Sequence, residues 1–174
     1  NCQTEEERIR TAELIRPILR GRDVKRYGYD WAGLWLINTH NGLKNKGIKP
    51  VDINDYPAIK EWLDNGGIAY SGKMYKGFSQ IEKRSDRGDT PYNLRNCAYM
   101  EDFSKPKIVW GEISDKSKFA FDFLGEYIPE ATSFYMKGEC IEYLLSALNS
   151  SVSEWLFSKV GTTTGVGTIK IGRA

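Results

Sequence analysis

The sequence predicts a mixed α/β fold of the α+β kind, with short, mainly antiparallel strands and flanking helices. Three observations carry this expectation. Ile141, Leu144, Leu145 and Leu148 recur at helical spacing toward the C-terminal end. Thr4 precedes Glu5, Glu6 and Glu7, a cap and an acidic first turn suited to a helix start at the other end. Between them lie short β-rich runs bounded by Gly, Asp or Pro. With 174 residues, the chain is expected to form a single domain, 1–174, large enough to bury a core.

In the first helix, Glu6 stands four residues before Arg10, Ile9 and Ala12 share a side, and Pro17 stops the element. Residues 24–29 and 34–38 read as the two strands of a hairpin around Asp30-Trp31-Ala32-Gly33. Residues 38–50, polar and holding Gly42 and Gly47, read as an exposed loop. Asp52 or Asn54 starts the next helix, where Pro57 is tolerated, Ile59, Trp62 and Leu63 form the apolar stripe, and Asn65-Gly66-Gly67 ends the pattern. Met74, Phe78 and Ile81, spaced by four and three, favour a helix over 73–84 with these side chains in the core, although Gly72 and Gly77 interrupt it. Strands are expected at 107–113, 119–123 and 133–136. After the helix that carries Leu148, Asn149-Ser150 is a break. Ser151-Val152-Ser153-Glu154 then matches a capping box for a last helix through Val160, and residues 161–168 read as a linker, with an approach of its amides and hydroxyls to a phosphate backbone as the alternative.

Lys and Arg total 25 against 23 Asp and Glu, a net charge of +2, so the distribution of charge says more about partners than its sum. Residues 16–28 hold five bases, Arg16, Arg20, Arg22, Lys25 and Arg26, against the single acid Asp23. Residues 66–96 hold six, Lys73, Lys76, Lys83, Arg84, Arg87 and Arg95, against Glu82, Asp86 and Asp89. The widely spaced Cys2, Cys97 and Cys140 fit neither a disulfide framework nor a zinc site. No apolar run approaches the roughly 20 residues of a membrane span, and no signal peptide is visible. A cytoplasmic location without membrane contact is therefore expected, and a start at Asn1 rather than Met suggests a piece of a longer protein.

The densest passage runs from Pro91-Tyr92-Asn93-Leu94-Arg95-Asn96-Cys97-Ala98-Tyr99 to Ser104-Lys105-Pro106-Lys107-Ile108-Val109-Trp110. Lys105 and Lys107 flank a proline and make a cationic corner at the entry of a strand. Arg95 stands beside amides, and Tyr92, Tyr99 and Phe103 add aromatic faces, a composition suited to a polyanion whose bases can be touched. Three other passages accompany it: Pro17-Ile18-Leu19-Arg20-Gly21-Arg22-Asp23-Val24-Lys25-Arg26-Tyr27, Lys83-Arg84 with Asp86-Arg87-Gly88, and Tyr143-Leu144-Leu145-Ser146-Ala147-Leu148-Asn149-Ser150-Ser151. Taken in order, the four passages resemble the C-terminal specificity, or target-recognition, domain of TaqI-like DNA adenine methyltransferases and of fused Type IIG restriction enzymes. The resemblance covers nearly the whole chain. It implies sequence-specific binding of double-stranded DNA on behalf of an S-adenosylmethionine-dependent N6-adenine methyltransferase, with or without a nuclease, elsewhere in the same polypeptide.

The catalytic motifs of such enzymes are missing here. There is no Asn/Asp-Pro-Pro-Tyr/Phe motif, since Thr90-Pro91-Tyr92-Asn93 is not one, and no Pro-Asp with a following Asp/Glu-x-Lys. No cofactor or metal is expected in this chain. His40 has no evident Ser or Cys partner, and Cys97, alternating with Ala98 and Tyr99 in an expected strand, reads as a core thiol. Arg84, Arg87 and Arg95 are candidates for reading bases or holding phosphates. Lys73, Lys76, Lys44 and Lys46 are candidates for phosphate contact, and Arg22 and Arg26 extend the set into the first basic island. Structural roles compete: Arg22 can pair with Asp23, and Arg84 and Arg87 with Glu82, Asp86 or Asp89. A competing function is a protein-interaction domain that docks on a catalytic subunit without reading DNA.

Overall fold

A computed structural model of the chain describes residues 2–68, 72, 74–163 and 168–171. The first half runs α1 (Glu5–Leu14), β1 (Ile15–Leu19), β2 (Val24–Lys25), β3 (Gly28–Tyr29), β4 (Trp35–Ile37), α2 (Pro57–Asn65), β5 (Gly67–Ile68), β6 (Met74–Tyr75) and α3 (Phe78–Ile81). There follow β7 (Lys107–Gly111), β8 (Ile113–Ser114), β9 (Phe119–Asp122), β10 (Ile128–Pro129), β11 (Ser133–Met136), α4 (Ile141–Leu148), α5 (Ser151–Val160), β12 (Thr162–Thr163) and β13 (Ile169–Lys170). This is the expected mixed α/β fold with short, mainly antiparallel strands. The chain divides into two compact units, Asn1–Arg16 with Trp35–Tyr99, and Pro17–Leu34 with Met100–Ala174.

In the first unit, the Thr4 hydroxyl accepts from the Glu7 N–H at 3.1 Å and caps α1 as expected. The buried side of the helix is Glu7, Thr11 and Leu14, however, and Ile9 is 55 % exposed. The reason lies in the Glu7 carboxylate, which accepts from the Gln3 N–H (2.9 Å) and from the Ala58 N–H (3.1 Å). Ala58 is in the first turn of α2, where N–H groups lack intrahelical partners, so the acid that satisfies one is turned inward. Pro57 occupies the start of α2, where its missing donor loses nothing. Ile59 then meets Leu14 and Ile53 in the core, with Ile37, Val51, Tyr56, Leu63 and Tyr92 around them.

The helix expected over 73–84 is not formed. Met74 and Tyr75 make β6, which pairs antiparallel with β5 in the register Gly67↔Tyr75 and Ile68↔Met74, and only Phe78–Ile81 is helical. Gly66 (φ 76°) and Gly77 (φ 65°) impose this path. A Cβ on Gly66 would lie 2.0 Å from the Tyr75 carbonyl oxygen, and one on Gly77 2.0 Å from that of Asp64. Ile81 is buried, whereas Met74, expected in the core, is 64 % exposed.

The second unit is built on the antiparallel sheet β11-β7-β9. Two buried clusters form along it, one of Leu19, Val24, Val109 and Ala120 and another of Ile108, Phe119 and Ile141. Leu145 and Leu148 of α4 close the second cluster, as the helical spacing predicts, together with Phe157 of α5, whereas Leu144, expected on the same face, is 39 % exposed. The cap of α5 is Ser150, whose hydroxyl accepts from the Ser153 N–H at 3.2 Å, one residue before the expected Ser151. Pro17 lies inside β1, a strand the sequence did not suggest, which pairs in parallel with β10 at Ile18↔Ile128 and Leu19↔Pro129. The hairpin is tighter than expected. Its strands are β2 and β3, paired at Val24↔Tyr29 and Lys25↔Gly28, and it turns on Arg26-Tyr27, with Tyr27 at φ 66°, rather than on residues 30–33.

Candidate nucleic-acid interface

Two loops of the first unit carry most of the candidate bases, and buried polar side chains sew these loops together. The Asn41 amide donates to Asp89 Oδ1 (3.0 Å) and Asn96 Oδ1 (2.7 Å), while its oxygen accepts from the Asp89 N–H (2.8 Å). Asn93, 1 % exposed, donates to the Val51 carbonyl at 2.9 Å and accepts from the Thr90 hydroxyl at 2.6 Å. The Thr39 hydroxyl donates to the Tyr92 carbonyl (2.7 Å), and the Leu94 N–H donates to the Thr39 carbonyl (2.8 Å). Each of these buried groups is satisfied, so the network fixes one arrangement of the loops. The loop expected to be exposed over 38–50 is therefore part framework and part surface: Thr39, Asn41, Gly42 and Leu43 are buried, whereas the tip at 44–47 and Lys49 and Pro50 are exposed.

That tip is a 3-10 turn, Lys44–Lys46, closed by the bridge Leu43↔Ile48, and it presents Lys44 and Lys46 to solvent. On the facing loop, Arg87 bridges to Leu94, the Gly88 N–H donates to the Asn93 carbonyl at 2.9 Å, and Arg87 and Arg95 are exposed. Arg87 also donates to the Glu82 carbonyl (2.8 Å), and Arg84 Nε lies 3.3 Å from Asp86 Oδ1, so both arginines have local partners. Lys44 and Arg95 have no ion-pair partner among the described residues. Lys76 is exposed just after β6, and Lys73 lies outside the described residues. Cys97 is not in a strand: Leu94 takes the only pairing in this passage, and the free thiol is half-buried in irregular chain. His40 Nδ1 accepts from the Gly42 N–H (3.2 Å), and burial lowers its pKa, which favours the neutral ring that can accept this bond.

The second unit holds Arg22 and Arg26. The turn Gly21–Asp23 is clamped by Arg20, whose guanidinium donates to both Asp23 oxygens at 2.8 and 2.7 Å. Asp23 thus pairs with Arg20 and leaves Arg22 exposed. The turn sits so close to β7 that a Cβ on Gly21 would lie 2.7 Å from Gly111 Cα. Arg26 Nη2 donates to the Asn149 carbonyl at 2.5 Å, and its guanidinium carbon stands 5.7 Å from the Tyr27 ring centroid. Asn149, fully buried, exchanges hydrogen bonds with both the N–H (3.1 Å) and the carbonyl (2.9 Å) of Phe119.

The cationic corner expected at Lys105 and Lys107 is half internal. Lys107 is 0 % exposed and donates to Asp122 Oδ2 (2.5 Å) and to the Phe103 carbonyl (2.7 Å), while Lys105 is exposed and pairs with Asp102 at 2.9 Å. Asp122 in turn accepts from the Glu126 and Tyr127 N–H groups, so a charge that looked available for a ligand is consumed in holding a turn. Sequence reasoning missed Thr39, Asn41 and the structural use of Asn93. Their only signal was polarity, which fits an exposed loop equally well.

A family model for the TaqI-like C-terminal specificity domain matches residues 16–174. No curated protein matches the chain. Among the described residues, no helix is long and apolar enough to cross a membrane, and no group of three or more His, Cys, Asp or Glu side chains is placed to hold a metal.

Proposed function

Because the chain belongs to the TaqI-like C-terminal specificity domain family, we propose that it reads the sequence of double-stranded DNA for a methyltransferase carried elsewhere in the same polypeptide. Membership implies target recognition in a restriction-modification enzyme by a domain that is not itself catalytic. S-adenosylmethionine and adenine methylation, with or without strand cleavage, then belong to the rest of the parent protein, in the cytoplasm. The observation that carries the DNA reading is the asparagine-sewn pair of loops, which fixes the backbone positions from which Lys44, Lys46, Arg87 and Arg95 project. Lysine is a compact charge suited to phosphate, and arginine can donate twice to guanine. Lys44, Lys46 and Lys76 accordingly take the backbone. Arg87 and Arg95 are the base readers, Arg84 supports them, and Arg22 and Arg26 supply charge from the second unit.

Binding of the full chain to a randomised duplex pool at several salt concentrations tests this. Lys44→Ala and Lys76→Ala should weaken binding to all sequences alike and each lower the salt slope by about one unit. Arg87→Ala and Arg95→Ala should relax preference at single positions at a cost of about 1–3 kcal/mol. Affinity indifferent to salt and to all four substitutions in folded protein would favour the protein-docking alternative.

A further inference from the structure

The β5–β6 ribbon has one face packed and one face bare. Gly67 and Tyr75 form the inner face: a Cβ on Gly67 would lie 2.5 Å from the Trp62 ring, Tyr75 stands 6.1 Å from Trp62 between ring centroids, and its hydroxyl donates to the Leu63 carbonyl at 3.1 Å. Because side chains alternate along a strand, the directly opposed pair Ile68 and Met74 points the other way. They are 74 % and 64 % exposed, two large apolar side chains side by side with no internal role. Among the described residues the sheet has two strands, and Lys76 follows β6 directly.

We infer that this ribbon enters the major groove of DNA and that Ile68 and Met74 contact thymine C5-methyl groups, making the pair a specificity determinant. The inference rests on the target-recognition reading and adds the element and the base feature it reads. A two-stranded ribbon fits the major groove, where the thymine methyl is the one apolar feature displayed by the bases. Charge complementarity favours a duplex over an apolar protein partner, since the ribbon opens a stretch with six bases and three acids. The packed inner face gives the outer pair a fixed direction, as a reading element requires.

The test uses the full chain and sites selected from a randomised duplex pool, each made once with thymine and once with uracil, which lacks the methyl. Wild type should bind the uracil versions about fourfold more weakly for each touched methyl that uracil removes, following the transfer free energy of one buried carbon. The Ile68→Ala/Met74→Ala variant should bind the thymine and uracil versions equally and keep the wild-type salt slope, with thermal melting as the folding control. Selected sites without thymine, or wild type indifferent to uracil, would overturn the inference while leaving DNA recognition intact. Weakened binding of the double variant with its thymine preference unchanged would overturn it as well. Absence of any salt-dependent DNA binding would remove the target-recognition reading and this inference together.

Discussion

Asp23 is held between Arg20 and the backbone, and the Arg20 guanidinium keeps its carboxyl below the ordinary carboxylate range. A group whose folded pKa is depressed contributes stability that is complete above its unfolded value, about 3.9 for aspartate, and that is lost as the pH falls through the folded value. Asp23→Asn is expected to destabilise the chain by about 1–3 kcal/mol at neutral pH. The gap from wild type should narrow as the pH falls below about 4. Urea denaturation of both proteins at pH 7 and pH 3 measures it, and a gap independent of pH would show that the charge pair contributes nothing. Within the passages that carried the resemblance, Gly21, Asp23, Asn93, Lys107 and Asn149 are of this internal kind, while Arg22, Arg87 and Arg95 are exposed. The internal ones are polar or small groups consumed in clamps and close approaches, so part of what the sequence made legible is scaffold rather than contact surface.

At the level of elements, the legible ones announced themselves locally. Thr4 with three acids began α1, and Ile141, Leu145 and Leu148 traced α4, although Leu144 of the same expected face is 39 % exposed. The helix α2 was legible as an element but not at its start, since Asp52 caps a separate 3-10 turn, Ile53–Asp55, and the helix begins at Pro57. The strands β7, β9 and β11 were legible as β-rich runs between breakers. The illegible ones are set by contacts distant in sequence. The β5–β6 ribbon exists because Gly66 and Gly77 pass within van der Waals reach of carbonyls, and a helical spacing of Met74, Phe78 and Ile81 could not report that. Likewise the parallel pairing of Ile18 with Ile128 leaves no local trace. The loop pair in the first unit depends on a similar approach at Gly88, where a Cβ would lie 2.5 Å from Asn41 Oδ1 and 2.6 Å from the Leu94 carbonyl oxygen. Gly88→Ala should therefore lower stability by about 1–3 kcal/mol through overpacking. It should also weaken DNA binding by displacing Arg87 and Arg95. Thermal melting and DNA affinity read the two effects, and a variant with wild-type values of both would mean that the loops do not depend on this approach.

On the scale of the whole molecule, the candidate bases are shared between units that are each discontinuous in sequence. Lys44, Lys46, Lys76, Arg84, Arg87 and Arg95 belong to the first, Arg22 and Arg26 to the second. With a net charge of only +2, the DNA reading proposed above rests on local placement of bases rather than on the overall field, which is why composition alone left the partner open. Lys107 has a different consequence. An amine with no exposed surface cannot meet an acylating reagent, so in native protein Lys107 should stay unmodified while exposed lysines such as Lys44 and Lys76 react. Because its strand is central in the β11-β7-β9 sheet, its labelling should begin only when the second unit opens globally. Peptide mass spectrometry after timed acetylation would then make this side chain an internal clock of unfolding, readable without any added probe; early labelling under native conditions would show that the sheet opens locally at that strand.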